Sequence, residues 1–244
     1  MRNTAFTFLI VGMILVACAK ENDTGSTKKP VSTSINKIMP LGASRVEGAR
    51  PEYESFRYEL WKDLVDGGYT FDFIGQQSDD GSYSAYKSKN FDRDHEGYGG
   101  ATSQDLRNGI DGILQNDIPD LVLFSSPGGN NALEGLSYNQ AVANINVIID
   151  ALQTANPKVT ILIEQMAPGK SSFMTSELKD YLERIQSEVL QIASTQSTSQ
   201  SKVIAVDMFT GFNDAFLADD IHYNQAGAQF VAERYYHVLS QELE

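Results

Sequence analysis

Residues 156–165 read NPKVTILIEQ, an Asn-Pro-Lys corner followed by a run of β-formers with almost no polar alternation before Glu164. Proline cannot continue a helix, so the corner closes the preceding element. A strand with one wet face alternates polar and apolar residues, whereas a near-continuous apolar run is covered on both faces, as in parallel sheets. DLVLFSS at 120–126 and VIAVD at 203–207 have the same character. With two weaker runs they predict five strands: Lys37–Leu41, Phe71–Gly75, Asp120–Ser125, Val159–Gln165 and Val203–Asp207. Apolar stripes at helical spacing fall between and after them. Tyr53–Val65 carries Phe56, Leu60, Trp61 and Leu64, and Ser103–Leu114 carries Leu106, Ile110, Ile113 and Leu114. Ser103 offers a cap for the second of these, and Ser137 with Gln140 a capping box for a helix running to about Leu152. Glu177–Ile192 and Tyr223–Leu239 complete the set. Strands alternating with helices predict an α/β fold, one doubly wound domain with right-handed crossovers.

The 244 residues are 41% hydrophobic, enough for one sizeable core. A formal charge of -13 repels phosphate backbones, so no nucleic-acid partner is expected. One cysteine excludes an intrachain disulfide and a cysteine-based metal site, and its place is informative. Arg2 precedes an apolar-leaning run from Ala5 to Ala17, too short for a comfortable membrane span, and Cys18 follows. The run reads as a secretory signal over residues 1–17, and LVAC at 15–18 resembles a bacterial lipobox with Cys18 as the lipidation site. A plain signal peptide with a chance cysteine is the alternative. Residues 18–34 are polar and read as a flexible tether, which leaves 35–244 as the folded domain. The expectation is an exported protein of the cell envelope, held to the membrane by its lipid anchor alone. Ala19 after the cysteine fits an outer membrane or cell surface in a Gram-negative host.

KIMPLGASRVEGARPE, residues 37–52, puts Ser44 in a tight corner beyond the first strand, where open α/β sheets bind ligands. Three histidines make the search for a base short. His222 follows Asp219 at a spacing that lets the carboxylate fold back onto one ring nitrogen, leaving the other for a nucleophile. A helix cap is the plainer reading of that pair. His237 sits mid-helix and reads as packing or surface. In SSPGGNNAL, Gly128 and Gly129 permit close backbone approach and Asn130 supplies an uncharged amide donor of the kind an oxyanion needs, although GGNN is also a plain turn sequence. Gly100 in HEGYGG offers a further backbone N–H. Residues 76–100 read as a long loop whose Tyr83, Tyr86, Phe91 and Tyr98 either stack on sugar rings or cover the end of the sheet. No spacing suggests a metal site, and the chemistry calls for no cofactor.

Taken together, IMPLGAS, HEGYGG, PGGNNAL and DDIHYNQAG resemble, in order, the four blocks of the SGNH hydrolases, the GDSL-type esterases and lipases. Their bacterial carbohydrate-esterase branch is the most similar. The resemblance implies a three-layer α/β/α sandwich of flavodoxin-like type with a five-stranded parallel sheet. It implies Ser44 as nucleophile, His222 as base and Asp219 as its partner, with Ser44, Gly100 and Asn130 forming the oxyanion hole. Tyr98, Asn131 and Arg45 are the substrate-binding candidates. Two positions depart from the pattern: Ala43 stands where the family usually has aspartate, and Asn131 where its third block usually ends in aspartate. The implied activity is hydrolysis of short-chain acyl esters, O-acetyl above all, on a carbohydrate. Two other readings stand beside it: a catalytically impaired carbohydrate-binding protein, motivated by Ala43, and an esterase or lysophospholipase acting on lipid or peptidoglycan acyl groups.

Overall fold

The computed structural model describes residues 29–243. Expectations for the signal run and Cys18 fall outside them. The chain runs β1 (Lys37–Gly42), α1 (Ser44–Glu47), α2 (Arg57–Gly67), β2 (Asp72–Phe73), β3 (Gln77–Ser78), β4 (Asp94–Gly97) and α3 (Ser103–Leu114). It continues with β5 (Leu121–Phe124), α4 (Gly129–Leu133), α5 (Tyr138–Ala155), β6 (Thr160–Gln165), α6 (Ser176–Gln196) and β7 (Val203–Asp207). A 3-10 turn (Asp214–Phe216) and α7 (Gln225–Leu239) close it.

Alternation along the central strands builds the layers. Ile38, Leu121, Leu123, Leu162 and Val206 face one side, where they pack with Phe56, with Leu60, Trp61 and Leu64 of α2, and with Val231, Tyr235 and Leu239 of α7. Met39, Leu41, Val122, Phe124, Ile161 and Ile163 face the other, against Leu106 and Ile110 of α3, Ile145 and Ile149 of α5, and Ile185 and Val189 of α6. The near-continuous apolar runs of β5 and β6 follow from this double cover.

The sheet corrects one expectation. It has seven strands rather than five, in the order β3-β4-β1-β5-β6-β7 with β2 also on β1, and it is mixed. β1 pairs in parallel with β2 through Lys37 and Ile38, and with β4 through Leu41 and Gly42. β3 runs antiparallel to β4. Both new strands come from the segment read as a loop. Asp94-His95-Glu96-Gly97 lacks any apolar signal, yet His95 and Glu96 are buried by neighbours distant in sequence. Smaller corrections concern caps. Thr102, not Ser103, caps α3, and Asp105 returns the bond to the Thr102 backbone. α2 begins at Arg57 rather than Tyr53, which leaves residues 49–56 free to reach the site described next.

Candidate active site

β1 ends at Gly42, and the close approach there requires glycine: a Cβ would stand 2.9 Å from Ser125 O and Val46 Cγ2. The chain turns at Ala43, whose carbonyl accepts from the N–H groups of Val46 and Glu47, both at 3.0 Å. The corner is therefore closed by backbone, without a side-chain carboxylate at 43. Ser44 opens α1, where the first N–H groups of a helix have no internal partner. The buried Arg57 holds the other end of α1, donating to Val46 O at 2.7 Å and Glu47 O at 2.8 Å.

His222 arrives from the loop between β7 and α7. Asp219 Oδ1 accepts from the backbone N–H groups of Ile221 (2.8 Å) and His222 (2.7 Å), which folds the turn, and its Oδ2 lies 2.7 Å from His222 Nδ1. Partial burial alone would raise the Asp219 pKa, but these N–H groups and the imidazole outweigh it and hold the carboxyl below its ordinary value. His222 Nε2 lies 2.9 Å from Ser44 Oγ. Serine, imidazole and carboxylate thus form one hydrogen-bonded line across residues 178 positions apart.

The third block lies beside them. Ser126, with φ of 48°, leaves β5 and is held by Glu164 Oε2, which accepts its N–H at 2.7 Å. Gly128, φ 75°, then starts α4, and Asn130 Nδ2 donates to Ala101 O at 2.9 Å. One amide hydrogen of Asn130 remains, next to the Gly99–Gly100 turn. Neither the Gly100 nor the Ser44 N–H has an acceptor among the described residues. Asn130, Ser44 and His222 line one cavity.

One substrate-binding candidate is corrected, and a second has a structural task as well. Asn131 turns inward, 2% exposed, and its Oδ1 accepts the Ser103 N–H at 2.8 Å. Arg45 gives its guanidinium to three carbonyls, Ile221 (2.9 Å), Ala167 (2.8 Å) and Pro168 (3.2 Å), and lies over the Tyr223 ring. It ties the serine corner to the histidine loop and also lines the cavity beside Ser44. The Tyr98 hydroxyl donates to Glu96 Oε2 at 2.5 Å; burial and that carboxylate push the phenol up. Tyr83 and Phe91 pack with Tyr58 of α2, so they cover the sheet end, and Tyr86 donates to Asp66.

Sequence reasoning missed two features. Tyr53 stacks on the His222 ring, centroids 3.9 Å apart and planes within 14°. Nothing in RPEYESF marks it, because the contact depends on a loop 169 residues later. The fully buried Glu164 accepts from Tyr235 at 2.8 Å as well as from Ser126, and its position in an apolar strand was the available signal. Among the described residues no group of three or more His, Cys, Asp or Glu is placed to hold a metal ion, and no helix is long and apolar enough to cross a membrane.

Known structures share this fold. An acetyl esterase mutant crystallised with an acetate ion is similar at 26% identity with a TM-score of 0.74, over 85% of this chain and 98% of that one. A family 3 carbohydrate esterase from Talaromyces cellulolyticus has 27% identity and a TM-score of 0.72, over 85% and 98% of the two chains. One from Clostridium thermocellum has 27% identity and a TM-score of 0.67, over 86% and 100%. No curated protein matches the chain by sequence. The GDSL-like Lipase/Acylhydrolase family matches residues 64–230, which contain Gly100, Asn130, Asp219 and His222 and begin after Ser44. The match spans more than half of the sequence, and the chain belongs to the GDSL-like lipase/acylhydrolase family.

Proposed function

We propose that the protein is a serine esterase that hydrolyses short-chain acyl esters carried on a carbohydrate. The observation that carries this reading is the 2.9 Å contact between Ser44 Oγ and His222 Nε2, with Asp219 behind the ring. His222 takes the Ser44 proton as Oγ attacks the ester carbonyl carbon, and Asp219 orients the imidazole and stabilises its charged form. The carbonyl oxygen becomes an oxyanion facing the Ser44 and Gly100 N–H groups and the free Asn130 amide hydrogen. The bond to the alcohol breaks, His222 returns the proton to the departing alkoxide, and an acyl-serine remains. Water then attacks under the same base, releasing the acid and restoring Ser44. Similarity to carbohydrate esterases supports a sugar as the alcohol.

The alternative of a catalytically impaired carbohydrate-binding protein rests on Ala43. The backbone closure of the corner and the intact Ser44–His222 contact favour turnover. Labelling by a fluorophosphonate followed by peptide mapping tests it: Ser44 should carry the label, and Ser44→Ala and His222→Ala should abolish hydrolysis of a nitrophenyl ester. A folded protein that is not labelled, with turnover indifferent to Ser44→Ala, overturns the reading.

The sequence supports an exported enzyme: signal peptide 1–17, Cys18 lipidated after cleavage, 18–34 as tether, and 35–244 as the hydrolase domain at the cell envelope. Mass spectrometry of the mature protein should find a diacylated terminal cysteine. Unchanged membrane fractionation and mass of Cys18→Ser would refute this.

A further inference from the structure

Ser44 sits between two surfaces of different chemistry. On one side a cavity open to solvent holds Ser44, Asn130 and His222 together with a wall built by Leu133, Met166, Phe173, Met174, Leu178 and Tyr181. Apart from Met166, these side chains are half-buried or exposed, with Leu133 at 40% exposure, in a chain of formal charge -13. Contiguous apolar surface left wet beside a reactive serine has a ligand as its natural cover. On the other side the surface is polar. Tyr53 lies flat on His222, and the Glu47 carboxylate lies against Gly99, where a Cβ would come within 2.3 Å of its Oε2. Burial, with the negative charges of Glu47, Asp219 and Glu52, raises the pKa of the Tyr53 phenol.

An ester has two halves, and the two surfaces sort them. Sugar hydroxyls lose water without replacement against leucine and methionine, a cost of roughly 1–3 kcal/mol each, but find acceptors beside Glu47 and Tyr53. An acetyl group brings a single methyl to the apolar wall and leaves the rest of it wet. Leu178 and Leu182, one turn and about 6 Å apart along α6, both line the cavity. Met166 and Met174, unbranched and adaptable, suit a flexible chain better than a rigid ring.

We propose that the acyl group this site prefers is an aliphatic chain longer than acetyl, about four to eight carbons, lying along Leu133, Met166, Phe173, Met174, Leu178 and Tyr181, with the polar alcohol on the Glu47–Tyr53 side. This rests on the esterase reading above and specifies its acyl half.

Two substrate series test it on the whole protein. With the nitrophenyl alcohol held constant, kcat/KM should rise from acetate through butyrate to hexanoate by about two- to fourfold per added methylene. Leu178→Glu should then lower the ratio of hexanoate to acetate kcat/KM by roughly tenfold or more. With acetyl held constant, lengthening an aliphatic alcohol should bring no comparable gain. A flat or falling profile with acetate still turned over, or a ratio indifferent to Leu178→Glu, overturns the inference and leaves the esterase standing. A gain that follows the alcohol and not the acyl chain assigns the cavity to the leaving group and overturns it too. No turnover of any ester, with no labelling of Ser44, removes both.

Discussion

Asn130 and Asn131 are adjacent and chemically identical, and the structure gives them opposite tasks. Asn130 keeps one amide hydrogen for the site after donating to Ala101 O, whereas Asn131 is enclosed and accepts from Ser103. Asn130→Ala should reduce kcat by roughly 10²–10³ with KM and thermal midpoint little changed, as for a contact made mainly in the transition state. Asn131→Ala should do the reverse: a loss of about 1–3 kcal/mol of stability, because a buried N–H loses its acceptor, with turnover per folded molecule retained. Steady-state kinetics beside urea unfolding of both variants checks the pair, and similar profiles for the two would reject the division. Sequence could place both residues at the sheet edge but could not orient them, since opposite directions result from a single residue of helical rotation in α4. The same holds for Arg45, one position after Ser44. It was legible as near the site, but its three carbonyl partners come from loops more than 120 residues away.

The elements differ in how plainly the sequence announced them. The span of α3 was read correctly because its stripe is regular, although its cap is Thr102 and not Ser103. β4 was not read, because it is made a strand by pairing with β1 and β3, while its buried polar side chains are satisfied by the Gln76 N–H at 2.7 Å on Glu96 and, locally, by Tyr98 on Glu96 and the Gly97 N–H at 2.9 Å on His95 Nδ1. The start of α7 is where element packing meets chemistry. Asn224 caps the helix by accepting from Gly227 at 3.1 Å and donates to Ala215 O at 2.8 Å, which joins the 3-10 turn to the histidine loop. A Cβ on Gly227 would stand 2.1 Å from Phe216 O, so backbone has to move. Gly227→Ala should therefore cost about 1–3 kcal/mol of stability by overpacking. It should also lower kcat by roughly tenfold to a hundredfold through displacement of His222, since misplacement of about 1 Å is costly in catalysis. Kinetics at a temperature where the variant remains folded checks this; full turnover there would detach α7 packing from the site.

At the scale of the whole molecule, acid stability is set by groups that folding buries. Burial, with the charges of Arg57 and Lys29, lowers the His95 pKa to about 3 from 6.5, and the ring stays neutral in the fold. The unfolded chain takes up that proton as pH falls below about 6.5, so stability weakens between pH 6.5 and 3. Asp92 acts in the opposite sense: burial, with the Asp94 charge, pushes it up to about 7, and the stability from its protonated form is lost as pH rises toward that value. His95→Asn, which can retain an acceptor for Gly97, should raise the stability at pH 4 relative to that at pH 7 by about 2–3 kcal/mol. Urea unfolding at the two pH values reads it, and an unchanged difference would mean that His95 does not carry the acid sensitivity. By itself the sequence determined the α/β class, the central strands and four blocks of residues at their carboxyl ends. Apolar periodicity, glycine and cap residues are local signals, and each constrains the chain within a few residues of itself. Only the tertiary structure decided that the sheet is mixed and seven-stranded, that Tyr53 lies on His222, that Asn131 faces inward, and that an apolar wall stands beside Ser44. Those features rest on contacts between side chains tens to more than a hundred residues apart, and no local pattern encodes which distant surface a polar strand or a loop aromatic will meet.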